Sequence, residues 1–238
     1  MDTIISVDKL RKSFGGLTAV NDVSFEVQNG EVVGLMGPNG AGKTTLLNLL
    51  SGVYKPDRGS IRFKGREISG LPSFKICQMG IARTYQVPQP FTSLTARRNV
   101  MVAALYGQKN ISQATANQDV DRLFEMVGLT DKQDLFCNQL MVLTLKKLEL
   151  IRALASNPSL VLLDEVAAGS TEVELPQILD TIKKMRAMGK TVIMVEHIMR
   201  VMVEAVDRIV VIDKGTKIAE GPPAQIMKDS KVIEAYLG

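Results

Sequence analysis

Residues 37–45 read Gly37-Pro38-Asn39-Gly40-Ala41-Gly42-Lys43-Thr44-Thr45, types and spacing suited to holding phosphate. The glycines let main-chain N–H groups turn inward around an anion with no Cβ in the way. Residues 44–50 (TTLLNLL) read as the first turns of a helix whose N-terminus adds partial positive charge at the same point. Lys43 is expected to reach the β- and γ-phosphates of a nucleotide, and the Thr44 hydroxyl to bind Mg²⁺. A plain glycine-rich turn with a solvated lysine does not account for glycines, Lys-Thr and helix all in register.

Farther along, the apolar residues 160–163 run straight into Asp164-Glu165. Two carboxylates at the end of a buried strand are costly unless they meet a cation or a catalytic task. Beside a phosphate loop, Asp164 reads as holding Mg²⁺ through water and Glu165 as polarising the attacking water. The alternative is a strand end that emerges into solvent. His197, the only histidine, follows the apolar run 191–195. A lone histidine is usually a surface or core residue; at the ligand-binding edge of an open α/β sheet, contact with a γ-phosphate is the better reading. Gln86 is a candidate neutral ligand for Mg²⁺, although spacing alone does not single it out.

The elements that must position these residues follow from periodicity. Residues 31–36 (EVVGLM) read as a short buried strand entering the phosphate loop, after strands at 3–10 and 20–27 and before one at 60–63. Helical periodicity marks 96–105, 121–127 and 145–155, joined by a polar stretch at 107–118. Residues 160–163 and 192–195 are continuous apolar runs, as in strands covered on both faces. Between them 172–188 reads as a helix with Gly189 at its C-cap, and 209–219 as a terminal hairpin. The expected architecture is α/β, a mostly parallel sheet with a helical insertion. We expect one domain over 1–238: a nucleotide-binding core from 1–88 and 158–238, and a helical subdomain at 89–157.

Bulk properties agree with a globular protein. Of 238 residues, 45% are hydrophobic and 23% charged, and a net charge of +4 from scattered basic residues makes no case for nucleic acid. Cys77 and Cys137 form no metal-ligand spacing, so a reduced cytosolic setting is expected. No apolar run approaches the roughly 18 residues of a membrane span, and the N-terminus does not read as a signal peptide. The sequon Asn110-Ile111-Ser112 is read as a coincidence.

Together these residues resemble the ATP-binding subunits of ABC transporters over nearly the whole chain, above all those of branched-chain amino acid importers. Ser13-Phe14-Gly15-Gly16-Leu17, Ile81-Ala82-Arg83-Thr84-Tyr85-Gln86, Val195-Glu196-His197 and the ending Val232-Ile233-Glu234-Ala235-Tyr236-Leu237-Gly238 carry that likeness. The resemblance implies a P-loop NTPase fold: a RecA-like core, an antiparallel β subdomain and an inserted helical subdomain. It implies ATP and Mg²⁺ as cofactors, with Phe14 stacked on adenine and Val20 beside it. Gln86 would link Mg²⁺ to the transmembrane partner, Glu165 would be the catalytic base and His197 the switch residue. The implied partners are a second ATPase subunit, identical or different, permease subunits that receive the helical insertion, and, indirectly, a solute-binding protein. The implied location is the cytoplasmic face of the cell membrane, held there peripherally.

Two segments depart from the family. Its Leu-Ser-Gly-Gly-Gln motif, which closes over the other subunit's ATP, falls on Leu140-Met141-Val142-Leu143-Thr144. That register removes a hydroxyl and two glycines that would let N–H groups approach a γ-phosphate. An alternative register puts Thr144 in a Leu-Thr-Leu variant and retains one hydroxyl. The stretch Gly169-Ser170-Thr171-Glu172 is about two residues shorter than the family's dimer-contact loop, and Val166 stands where proline is usual. The expectation is asymmetric: a complete phosphate loop for this chain's own nucleotide, and a weakened motif for the partner's. Rival readings are a soluble ABC ATPase, an ATP-binding regulatory module with little turnover, and a P-loop kinase.

Overall fold

The computed structural model describes residues 2–108 and 111–237; Asn110 of the sequon and the terminal Gly238 lie outside them. The chain opens with strands β1 (Thr3–Phe14), β2 (Leu17–Gln28) and β3 (Val32–Met36), then helix α1 (Lys43–Leu50). Strands β4 (Arg58–Phe63) and β5 (Arg66–Glu67), helix α2 (Ser73–Met79) and strand β6 (Ile81–Arg83) come next. Three helices follow, α3 (Ala96–Gly107), α4 (Gln113–Val127) and α5 (Val142–Ala155). The last part alternates: β7 (Leu160–Asp164), α6 (Leu175–Ala187), β8 (Thr191–Val195), α7 (Met199–Ala205), β9 (Arg208–Asp213), β10 (Thr216–Gly221), α8 (Pro223–Ile226) and α9 (Ser230–Leu237).

The strands form two sheets. One is antiparallel in the order β2-β1-β4-β5; the other runs β10-β9-β3-β8-β7-β6, parallel except for the β9–β10 hairpin. Residues of β3, β7 and β8 alternate between two apolar clusters. Val161, Leu163, Val192 and Met194 pack toward the α3–α7 side, while Leu160, Leu162, Ile193 and Val195 face the antiparallel sheet and α1. Both faces are covered, which is why these strands read as unbroken apolar runs. The order β3-β8-β7 brings three carboxyl-terminal strand ends together: the phosphate loop, Glu196-His197 and Asp164-Glu165. Ligands of open α/β sheets bind at such an edge.

Several boundaries differ from the periodicity: β1, β2, β4 and α5 run beyond the expected ranges, and α4 and α6 start elsewhere. Helix α4 starts well inside the polar stretch 107–118, because the Ser112 hydroxyl caps it by accepting from Thr115 N at 3.1 Å. Its buried stripe, Ala116, Val120, Leu123, Phe124 and Val127, has helical spacing that begins among polar neighbours. Helix α6 starts at Leu175 instead of 172, with Pro176 in its first turn, where the missing N–H costs nothing. Ahead of it, Glu174 folds back to accept from the Thr171 amide at 2.7 Å and its hydroxyl at 2.9 Å.

Candidate functional site

The phosphate loop leaves the fully buried β3 and ends where α1 begins, with Gly42 at the N-cap in a left-handed conformation (φ 105°). Its glycines are demanded by neighbouring backbone as much as by phosphate. A Cβ on Gly37 would lie 1.9 Å from Ile212 O, and one on Gly42 2.2 Å from Ala19 O; around Gly40 nothing lies within 4 Å. Gly215 N, in the β9–β10 turn, donates to Ala41 O at 2.9 Å and braces the loop from outside. Pro38 is half-buried, while Asn39 and Gly40 are exposed at the loop's tip.

Lys43 folds back into its own loop, donating to Gly37 O at 2.7 Å and Pro38 O at 2.9 Å. Burial pushes its ammonium pKa down, opposed by the nearby Glu165 and Asp164 carboxylates. Two carbonyls thus satisfy a buried cation that no carboxylate among the described residues pairs directly. Thr44 is exposed at the second position of α1 and Thr45 is half-buried beside it.

The structure brings Glu165, Gln86 and His197 together. Gln86 Nε2 donates to Glu165 Oε2 at 2.5 Å, and His197 Nε2 lies 2.8 Å from Glu165 Oε1. Glu165 adopts a left-handed backbone (φ 50°), rare for a residue with a Cβ, and its N–H bonds Val195 O at 2.9 Å. The strained residue directly follows β7, so its carboxylate leaves the line of the strand.

Asp164 is buried, and its Oδ2 accepts from Arg83 Nη2 at 2.7 Å, the two side chains being 4% and 6% exposed. Arg83 also bonds Asn48 on α1 and Ser51 Oγ (3.3 Å), and its guanidinium lies 5.0 Å from the Tyr85 ring centroid. Sequence reasoning quoted Arg83 without assigning it a part; a cation at the end of a three-residue strand has a partner only once β6 lies beside β7. Glu196 was likewise given no role. It is buried, its pKa is pushed up by desolvation, and it accepts from Ala167 N at 2.6 Å, holding the turn after Glu165.

Phe14 ends β1, exposed, edge-on to Tyr54 at 5.1 Å between centroids. Val20, expected beside it, is 1% exposed and belongs to the core beneath, so it supports that corner and offers little surface to a base. Helix α5 begins at Val142 with Met141 at its N-cap and no side-chain cap; Met141 and Val142 are 78% and 66% exposed. Thr144 is only 9% exposed and lines a cavity of about 170 Å³ among α5, α6 and the end of α4. Thr144, the residue of the alternative register, is the third residue of α5.

Known proteins match along the chain. The family model described as ABC transporter matches residues 20–168, and one described as branched-chain amino acid ATP-binding cassette transporter matches 216–238. The high-affinity branched-chain amino acid transport ATP-binding protein BraF of Pseudomonas aeruginosa is 37% identical, over 99% of this chain and 98% of BraF. The lipopolysaccharide export system ATP-binding protein LptB of Haemophilus influenzae is 34% identical, over 99% of this chain and 98% of LptB. The crystal structure of the ADP conformation of MJ1267, an ATP-binding cassette of an ABC transporter, superposes with a TM-score of 0.90 at 28% identity, covering both chains completely. With the phosphate loop and the strand-end carboxylates on neighbouring parallel strands, the chain belongs to the ATP-binding domains of ABC transporters.

Proposed function

We propose that this chain is the ATP-hydrolysing subunit of a branched-chain amino acid importer. Whole-chain identity to the export protein LptB nearly equals that to BraF, so the direction of transport rests on the separate C-terminal match over 216–238. The observation that carries the enzymatic reading is Glu165, held between Gln86 and His197 at the end of a strand next but one to the phosphate-loop strand.

In this reading the Gly37–Thr45 backbone and Lys43 bind the phosphates, and Phe14 stacks on adenine with Val20 supporting it. Thr44, Asp164 and, after turning from Glu165, Gln86 would hold Mg²⁺; an exposed hydroxyl, an amide and one carboxylate suit a hard cation that shares its shell with phosphate and water. Mg²⁺, when bound, supplies charge that stabilises the phosphoryl oxygens. Glu165 accepts the proton of a water whose oxygen attacks the γ-phosphorus, as the bond to the β-bridging oxygen breaks and ADP leaves. His197 holds the Glu165 carboxylate in place from its other oxygen.

Residues 89–157 form the subdomain that meets the permease. A groove lined by Phe74, Tyr85, Phe91 and Tyr106, with Glu149 and Arg152 at its floor, offers apolar surface and charge to a helix from that partner. A solute-binding protein acts on the far side, and nucleic acid has no part. No helix among the described residues is long and apolar enough to cross a membrane, so the permease holds the chain at the membrane's inner face.

A second reading, an ATP-binding module with slow turnover, is favoured by one feature: the uncapped apolar start of α5, Met141-Val142, in place of donors for a partner's γ-phosphate. Two identical subunits would then carry two weakened sites. Steady-state hydrolysis by wild type and Glu165→Gln separates the readings: the importer ATPase loses at least about 100-fold and still binds ATP. Equal rates would overturn it. In a heterodimer with a complete partner, nucleotide trapping should be unequal between the two sites.

A further inference from the structure

The C-terminal helix α9 reaches back to the phosphate loop. The Tyr236 hydroxyl accepts a hydrogen bond from Gly37 N–H at 2.9 Å, across 199 positions of sequence. Gly37 is the first residue of the loop, at φ 150°, a conformation open to glycine and closed to most others. It is held from its other side as well, since Gly37 O accepts from Lys43 Nζ at 2.7 Å. A residue with no side chain is thus pinned at both its donor and its acceptor. When Lys43 leaves Gly37 O for a phosphate, the Tyr236 bond is the restraint that stays. A cleft between the loop and α9 is bordered by Pro38, Asn39, Lys231 and Glu234.

We propose that Tyr236 is a positioning residue for the phosphate loop: its hydroxyl holds the Gly37 peptide in the orientation that receives nucleotide, and so makes α9 part of the ATP site. This rests on the reading of the loop as an ATP site. Freed of the bond, the Gly37 peptide, which has no side chain to fix it, must be ordered again each time nucleotide binds, which weakens binding and leaves the chemical step unchanged.

Tyr236→Phe in the full chain removes the hydroxyl and keeps the ring. Calorimetric titration with Mg-ATP and with Mg-ADP should show Kd raised roughly 2- to 10-fold for both, the scale of one neutral hydrogen bond. Hydrogen exchange at the Gly37 amide, in nucleotide-free protein, should quicken at least about 10-fold, with a melting temperature within about 2 °C of wild type. A side chain that only packs α9 would lower the melting temperature and leave the Gly37 amide alone. Unchanged Kd overturns the proposal, whatever the exchange shows; so does weaker binding with unchanged Gly37 exchange. Failure of wild type itself to bind ATP would instead sink the reading on which it rests.

Discussion

Removing the guanidinium of Arg83 should be among the most damaging single changes outside the phosphate loop. Arg83 and Asp164 form an ion pair at 2.7 Å with side chains 6% and 4% exposed, so water cannot take over for a missing partner. Breaking a buried pair from one side costs about 3–5 kcal/mol, because the remaining charge stays buried without compensation. Arg83→Gln also loses the bonds to Asn48 on α1 and to Ser51 at its C-cap, placing it at the upper end. For a chain of this size each kcal/mol lowers the melting temperature by about 2–4 °C, so a fall of about 6–20 °C is expected. Asp164→Asn should cost nearly as much by stranding the arginine. The double variant, with no charge on either side, should be more stable than the sum of the singles predicts, by at least about 2 kcal/mol. Thermal and chemical denaturation of wild type, both singles and the double measure that coupling. If each single moved the melting temperature by less than about 2 °C, or if the two effects simply added, the pair would not be the buried clamp its geometry describes.

The two inner glycines of the loop should separate cleanly. Gly42→Ala sets a Cβ 2.2 Å from Ala19 O and should abolish ATP binding or folding, whereas Gly40→Ala meets nothing and pays only the left-handed strain of about 1–2 kcal/mol; titration with ATP compares them. Glu196 has a folded pKa raised by burial, so its contribution to stability is complete below the ordinary value of 4.5 and is lost as pH rises through the raised one. Glu196→Gln should therefore flatten the decline in stability above pH 4.5, as read by denaturant midpoints across pH; an unchanged slope would assign that decline elsewhere. Met141→Ser supplies the missing N-cap of α5 and should stabilise the chain by about 1 kcal/mol, visible as a melting temperature about 2–4 °C higher.

Legibility in the sequence followed the range of the interaction. The loop with its helix, and the apolar run ending in Asp164-Glu165, are local patterns, and the observed β3, α1 and β7 fall where those patterns put them. The helical middle was legible from the stripes of α3 and α5, but the start of α4 was hidden, because Ser112 and the first buried residue, Ala116, look like the polar linker around them. Short elements such as α2, β6 and α9 left no periodic trace, since seven or eight residues hold barely two turns and three residues no alternation.

Residue type and neighbour order were enough to mark a phosphate loop, a pair of strand-end carboxylates and a solitary histidine, since each depends on chemistry within a few positions. Which of them touch was decided by strand order. Only with β8 beside β7 does Glu165 meet His197, and only with β6 on the other side of β7 do Glu165 meet Gln86 and Asp164 acquire Arg83. The same holds for Tyr236 against Gly37 and for the burial of Thr144. Such contacts join residues far apart in the chain, and a hydrogen bond carries no sequence signature until folding has brought its donor within about 3 Å of its acceptor.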